Sequence, residues 1–287
     1  MNQTTSGWIH GFAGVLIFSG SLPATRLAVA EFDPIFLTVI RAAIAGLLAG
    51  ALLLVFRQQR PVRSDIVPLM LVAVCVVVGF PLLTALALQY VTSSHAIIYI
   101  GLLPLSTAFF GVLRGGERPR PAFWILSAVG SSLVAGFALT QGAAASPVGD
   151  ALMLASIIVC GYGYAEGGRL SRRLGGWQVI SWALVLSLPV MSLLSFFYMP
   201  VSWAGISTSA IVSLAYVSLF SMLIGFVFWY RGLAQGGIAA VGQLQLLQPF
   251  FGLLLSAVVL HESIGWPIFA VNIGVVLCVA IARRFAI

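Results

Sequence analysis

The chain has 287 residues, 61% of them apolar and 7% charged, with a mean hydropathy of +1.10. Soluble domains carry about 25% charged residues, so a water-soluble enzyme, a nucleic-acid-binding domain and a disordered chain are excluded at the outset. The formal charge of +7 comes from 14 arginines against 7 acids, with no lysine in the chain, which removes Schiff-base chemistry and lysine phosphate clamps.

A helix needs about 20 apolar residues to cross a ~30 Å hydrocarbon core. Ten runs reach or approach that length: 7–28, 34–56, 67–90, 94–113, 122–140, 149–168, 177–198, 208–230, 237–260 and 265–282. Each backbone amide in hydrocarbon must be satisfied internally, which forces helices, and the period-two alternation of a barrel strand is absent. The expected fold is an all-α polytopic membrane protein of ten transmembrane helices. The first run is too long for a leader core and has no basic flank, so no cleaved signal peptide is expected. Cys75, Cys160 and Cys278 each fall within an apolar run without metal-like spacing and read as small packing residues. No metal or cofactor is expected.

Taken in chain order, the arginines alternate sides. Arg57, Arg60 and Arg63 follow the second run; Arg114, Arg118 and Arg120 follow the fourth; Arg169, Arg172 and Arg173 follow the sixth. Arg231 follows the eighth run, and Arg283 and Arg284 end the tenth. On the other side only Arg26 is expected in a loop, near Glu31 and Asp33, while Arg41 lies inside the second run. The positive-inside rule puts both termini in the cytoplasm. The same clustering accounts for the basic charge, so no nucleic-acid partner is inferred.

An internal repeat follows. Pro104 precedes Glu117 as Pro249 precedes Glu262, both pairs at a common offset of 145 (104 to 249, 117 to 262). Ala87-Leu88 maps onto Gly232-Leu233 at that offset, and Gly130 onto Gly274 with a one-residue slip. The halves are 1–140 and 147–287, with five runs each. Copies with an odd number of helices lie in opposite orientations, so Glu117 falls inside and Glu262 outside. Inverted repeats are a mark of secondary transporters.

The motif Pro34-Ile35-Phe36-Leu37-Thr38-Val39-Ile40-Arg41, the stretch Leu247-Gln248-Pro249-Phe250-Phe251-Gly252 running to His261-Glu262-Ser263, and Leu103-Pro104-Leu105 running to Gly116-Glu117-Arg118 carry a resemblance. The chain resembles the EamA type of the drug/metabolite transporter superfamily, most of all its amino-acid exporters of the aromatic, YddG type. It departs at Phe18-Ser19-Gly20, where a mid-helix Trp is often found. The resemblance implies a basket-like bundle with a central cavity, lined by segments 1–4 and 6–9, with 5 and 10 peripheral.

Polar groups inside a bilayer are costly and face the bundle interior. Arg41 reads either as attraction for a substrate carboxylate or a gating acid, or as a snorkelling residue or a partner of Glu31 or Asp33. His95 and Tyr99 share a face of segment 4, as do Phe80 and Thr84 of segment 3 with Pro81 between them. At 100° per residue Gln243 and Gln245 point to nearly opposite sides, while Gln245 and Gln248 share a face near Pro249. Such amides suit a zwitterion or interhelical hydrogen bonds. Pro104 and Pro249 are expected to bend their helices midway and serve as hinges, with Pro81. Tyr162 shares a face with Glu166, which reads as a coupling site or as a partner of Arg169 or Arg173. Trp229 and Tyr230 read as a stacking surface or as interfacial belt, and Trp8, Trp177, Trp203 and Trp266 as belt. Glycines at 11, 14 and 20, at 161, 163, 167 and 168, and at 236, 237 and 242 permit close helix approach.

The expected function is secondary export of amino acids or similar small amphipathic metabolites by alternating access. The alternative is a multidrug or purine exporter of the same superfamily; a sugar-nucleotide exchanger ranks below both, because only Arg41 is an intramembrane cation and phosphates call for several. No HExxH, GxSxG or intramembrane aspartate pair points to an enzyme, and no filter-like loop to a channel. Partners are a small-molecule substrate and the bilayer; oligomeric state is open.

Overall fold

The computed structural model describes residues 3–91, 96, 99–140, 146–260 and 266–286, and every regular element among them is helical. In chain order these are α1 (Gln3–Ser19), α2 (Ser21–Val29), α3 (Pro34–Val55), α4 (Arg63–Val72), α5 (Phe80–Tyr90), α6 (Leu103–Gly115) and α7 (Pro121–Thr140). There follow α8 (Pro147–Leu174), α9 (Gly176–Phe197), α10 (Thr208–Tyr216), α11 (Gly225–Gly236), α12 (Ile238–Gly242), α13 (Gln248–Leu260) and α14 (Trp266–Ala282). Six helical stretches among the described residues are long and apolar enough to cross a membrane: Gln3–Val29, Pro34–Val55, Arg63–Tyr90, Pro147–Leu174, Gly176–Phe197 and Thr208–Gly236. Large side chains such as Leu54, Ile125, Phe196 and Phe197 are exposed on the outside of the bundle, where a bilayer rather than water suits them.

Several runs are not the uniform α-helices their hydropathy predicts. The first breaks at Gly20 into α1 and α2. A Cβ on Gly20 would lie 2.4 Å from the Tyr216 hydroxyl, and that hydroxyl donates to the Ile17 carbonyl at 2.5 Å, so a side chain of α10 serves the backbone at the break. Arg26 accordingly sits within α2 and not in a loop, donating to the Leu88 carbonyl. The third and eighth runs each contain a π-helical segment, Ala73–Gly79 between α4 and α5 and Val217–Ile224 between α10 and α11. In the first of these, Pro81 lies just beyond the wide turn; the proline has no N–H to donate, and its ring would clash with the carbonyl four residues back in an α ladder.

The ninth run changes type twice, from α12 through a 3-10 segment, Gln243–Leu247, to α13. Pro249 is the second residue of α13 and Pro104 the second residue of α6. These prolines therefore head helices, where the missing N–H is an orphan in any case, and do not bend them midway as the sequence suggests. The bounds of α6 and α13 coincide at an offset of 145, and the two π segments coincide at the same offset to within a residue.

Arginines from several runs come together through a chain of contacts. Arg114 meets Glu166, Arg172 meets Glu117 and Arg173 meets Asp65. The Arg120 amide donates to Phe285, Arg283 lies 4.8 Å from the Trp8 ring centroid, and Phe56 packs on Trp177. Helix α8 runs on to Leu174, so Arg169, Arg172 and Arg173 project from a helix and not from a loop.

Close packing of α1 on α11 depends on glycine. A Cβ on Gly7 would lie 2.4 Å from the Gly236 amide nitrogen, and one on Gly232 would lie 2.6 Å from that of Gly11. The helices α7 and α14 pack on each other, Gly130 facing Cys278 and Gly274 facing Leu133.

Candidate functional site

A cavity lies where the irregular segments converge. Phe18 and Ser21 line it from the α1–α2 break, Arg41 from α3, and Phe80, Pro81 and Thr84 from α5. One π segment contributes Val76 and the other Ser221 and Met222. Tyr164 of α8, Phe226 of α11 and Gln248 at the start of α13 also line it, with Leu22, Thr25, Ile100 and Leu103. Two π segments facing one cavity are notable because such segments concentrate at functional sites. The cavity volume is only about 40 Å³, enough for a few waters, so a larger occupant must widen it.

Of the residues singled out by sequence, Arg41, Phe80, Pro81, Thr84 and Gln248 meet here. Arg41 is 6% exposed and donates to the Ser221 hydroxyl at 3.3 Å, while its Nε has no hydrogen-bond partner. It does not snorkel, and it does not pair with the neighbouring acids. Asp33 accepts from the Ile35 and Phe36 amides as the N-cap of α3, and Glu31 accepts from the Ser207 amide and hydroxyl. Gln248 donates to the Phe18 carbonyl at 3.4 Å, and the buried Thr84 hydroxyl has no partner.

Other residues lie elsewhere. Gln245 donates to the Thr107 hydroxyl at 3.4 Å, an interhelical bond. It falls in the 3-10 segment Gln243–Leu247 and is not among the residues that line the cavity. Tyr99 hydrogen-bonds Asp150. Tyr162 packs edge-on against Phe110, with the Arg114 guanidinium 5.8 Å from its ring centroid, away from the cavity. Trp229 is fully buried, 5.4 Å from Tyr164 and 6.2 Å from Phe18 between ring centroids. It stands behind the cavity wall and is no part of an interfacial belt; Tyr230 is also fully buried. His95 and Glu262 lie outside the described residues.

Glu166 is completely buried, accepting from Arg114 at 2.9 Å and from Arg169 at 2.5 Å. Two guanidiniums flank it, one of them the Arg169 that the sequence offered as its partner. Arg173, the other partner considered for it, goes to Asp65. Glu117 has a definite task. Its carboxylate accepts from the Ile238 and Ala239 amides, both at 2.7 Å, and from Arg172 at 2.6 Å. It caps α12, whose N-cap Gly237 has φ of +91°, a value that favours glycine.

Sequence reasoning missed Tyr164, Phe226 and Ser221. For Tyr164 a signal was present: Ile157, Cys160, Gly161 and Tyr164 form a stripe at positions i, i+3, i+4 and i+7, all of them buried.

Known proteins give this cavity a context. The model of the EamA-like transporter family matches residues 5–139 and again 147–284. The chain belongs to that family, and so is a multi-pass membrane transporter that takes a small-molecule substrate. It is 76% identical over 286 residues, covering all of both chains, to a Bacillus subtilis (strain 168) protein named "Uncharacterized transporter YdeK". It is 24% identical over 272 residues to an Archaeoglobus fulgidus protein named "Uncharacterized transporter", covering 93% of this chain and 92% of that one. A solved crystal structure matches with a TM-score of 0.79 at 19% identity, over 98% of both chains, a likeness of fold.

Proposed function

We propose that the protein is a secondary exporter of amino acids or similar small amphipathic metabolites, set in the cytoplasmic membrane of a bacterium with both termini inside. The observation that carries this reading is the cavity. It combines aromatic surface from Phe18, Phe80, Tyr164 and Phe226 with a few polar groups, Arg41, Thr84, Ser221 and Gln248, the mixture an amphipathic ligand needs. Arg41, Phe80, Thr84 and Gln248 are the substrate-binding residues in this reading, and Trp229 backs Tyr164.

The mechanism is alternating access in a ten-helix bundle of two inverted five-helix repeats, residues 1–140 and 147–287, with α7 and α14 at the periphery. Two features support that architecture: helix and π-segment bounds that coincide at a single offset, and two consecutive matches to one family model. Rocking of one repeat against the other exposes the cavity to each side in turn. Pro81 and Pro249, each at a change of helix type, and Pro104, at the head of α6 just after a turn, are the hinges.

Production of the protein in a bacterial host tests the reading. Excretion of amino acids and resistance to toxic amino-acid analogues are expected. Resistance confined to cationic dyes or purine analogues would move the substrate to the multidrug or purine class.

A further inference from the structure

Arg41 raises a problem of charge that an occupant would solve. A buried guanidinium is costly unless it is paired. Every described acid is engaged elsewhere: Glu31 with Ser207, Asp33 in capping α3, Asp65 with Arg173, Glu117 with α12 and Arg172, Asp150 with Tyr99, and Glu166 with Arg114 and Arg169. No carboxylate is among the described residues lining the cavity. Among the described residues the Arg41 side chain makes one hydrogen bond, the long one to Ser221, whose hydroxyl also accepts from Ser21 at 2.8 Å, and the buried Arg41 Nε has no partner there. A guanidinium with free donors beside two hydroxyls is a seat for a planar carboxylate. A single fixed cation matches one negative charge, not a phosphate dianion. The rest of the lining is mostly apolar and aromatic, with Phe18, Tyr164 and Phe226 among it.

We infer that the cavity is a carboxylate site: Arg41, with Ser221 and Ser21, binds the carboxylate of an apolar monoacid whose body lies among Phe18, Tyr164 and Phe226. The α-ammonium of an amino acid is tolerated, not required. The inference rests on the reading of this cavity as the transport site, but it can be tested without transport. The probe is a series with one shared body: 3-phenylpropanoate, phenylalanine, phenylalanine amide and phenethylamine. Thermal melting of the purified protein in detergent is followed against each.

The two acids are expected to raise the melting temperature saturably and to compete with each other, while the amide and the amine do not. Arg41→Gln should weaken acid binding at least about tenfold, a loss of ~1.4 kcal/mol, and the milder Ser221→Ala several-fold. Stabilisation by the amine or amide equal to that by the acids overturns the inference. So does acid binding unchanged in Ser221→Ala and Arg41→Gln, or the absence of any acid effect up to ~10 mM, a concentration at which even a weak site is filled. Acid binding without flux in proteoliposomes upholds the carboxylate site and sinks the transport reading. Flux of the amine without acid binding does the reverse.

Discussion

The Glu117 carboxylate accepts from the Ile238 amide at 2.7 Å, so an acid in the first half of the chain caps a helix in the second. Loss of an N-cap costs about 1 kcal/mol, and here Arg172 shares the same carboxylate. Glu117→Ala should lower the melting temperature in detergent by several degrees, and Glu117→Gln, which keeps one acceptor, by less. Equal melting of all three proteins would show that the cap contributes nothing.

Glycine matters where backbone meets backbone. In Gly232→Ala the new Cβ would lie 2.6 Å from the Gly11 nitrogen, and main chain cannot move aside as a side chain can. Little folded protein is expected. Gly136, in α7, has nothing within 4 Å, so Gly136→Ala should be neutral or stabilising by about 0.5–1 kcal/mol. Size-exclusion profiles and melting curves of the two variants check the contrast, and similar behaviour would refute it.

Gln245 and Gln248 should separate cleanly. Gln248 lines the cavity, whereas Gln245 bridges to Thr107. Gln248→Ala should raise the half-saturating substrate concentration several-fold, as expected for a lost bond of about 1 kcal/mol, with melting little changed. Gln245→Ala should mainly lower the melting temperature. The reverse pattern would place the site nearer Thr107.

At the opposite end from the arginine cluster, the hydroxyl and amide of Ser207 hold the exposed Glu31 carboxylate below its ordinary pKa. An acid with a depressed folded pKa adds stability above its unfolded pKa and loses it as pH falls through the folded value. Glu31→Gln should therefore melt below the parent protein at neutral pH, with the gap closing as pH drops through the carboxylate range. A gap independent of pH would mean that the charge plays no part.

Much of this was legible in the sequence, for physical reasons. Hydropathy pointed to a polytopic helical bundle, of which six stretches among the described residues are long enough to span, and helical periodicity put Phe80 and Thr84, which both line the cavity, on one face. The offset that pairs Pro104 with Pro249 also pairs the bounds of α6 and α13. Periodicity failed where the helix was not α. The π segments turn by another angle, so Ser221 was overlooked. Of the two readings of Trp229, the interfacial belt fails because the glycine contact of α1 with α11 buries it. The engagements of Glu117 and Glu166 are tertiary, and no local pattern encodes them.

The most direct test of the central claim is counterflow. Proteoliposomes loaded with an unlabelled apolar amino acid are diluted into a trace of the labelled one, with and without a pH gradient. The account predicts saturable accumulation of label that Gln248→Ala and Arg41→Gln slow while the variants remain folded. A response to the gradient would identify proton coupling, and its absence facilitated exchange. Accumulation that is absent across the amino-acid panel, or flux that rises linearly without saturation, would contradict the account.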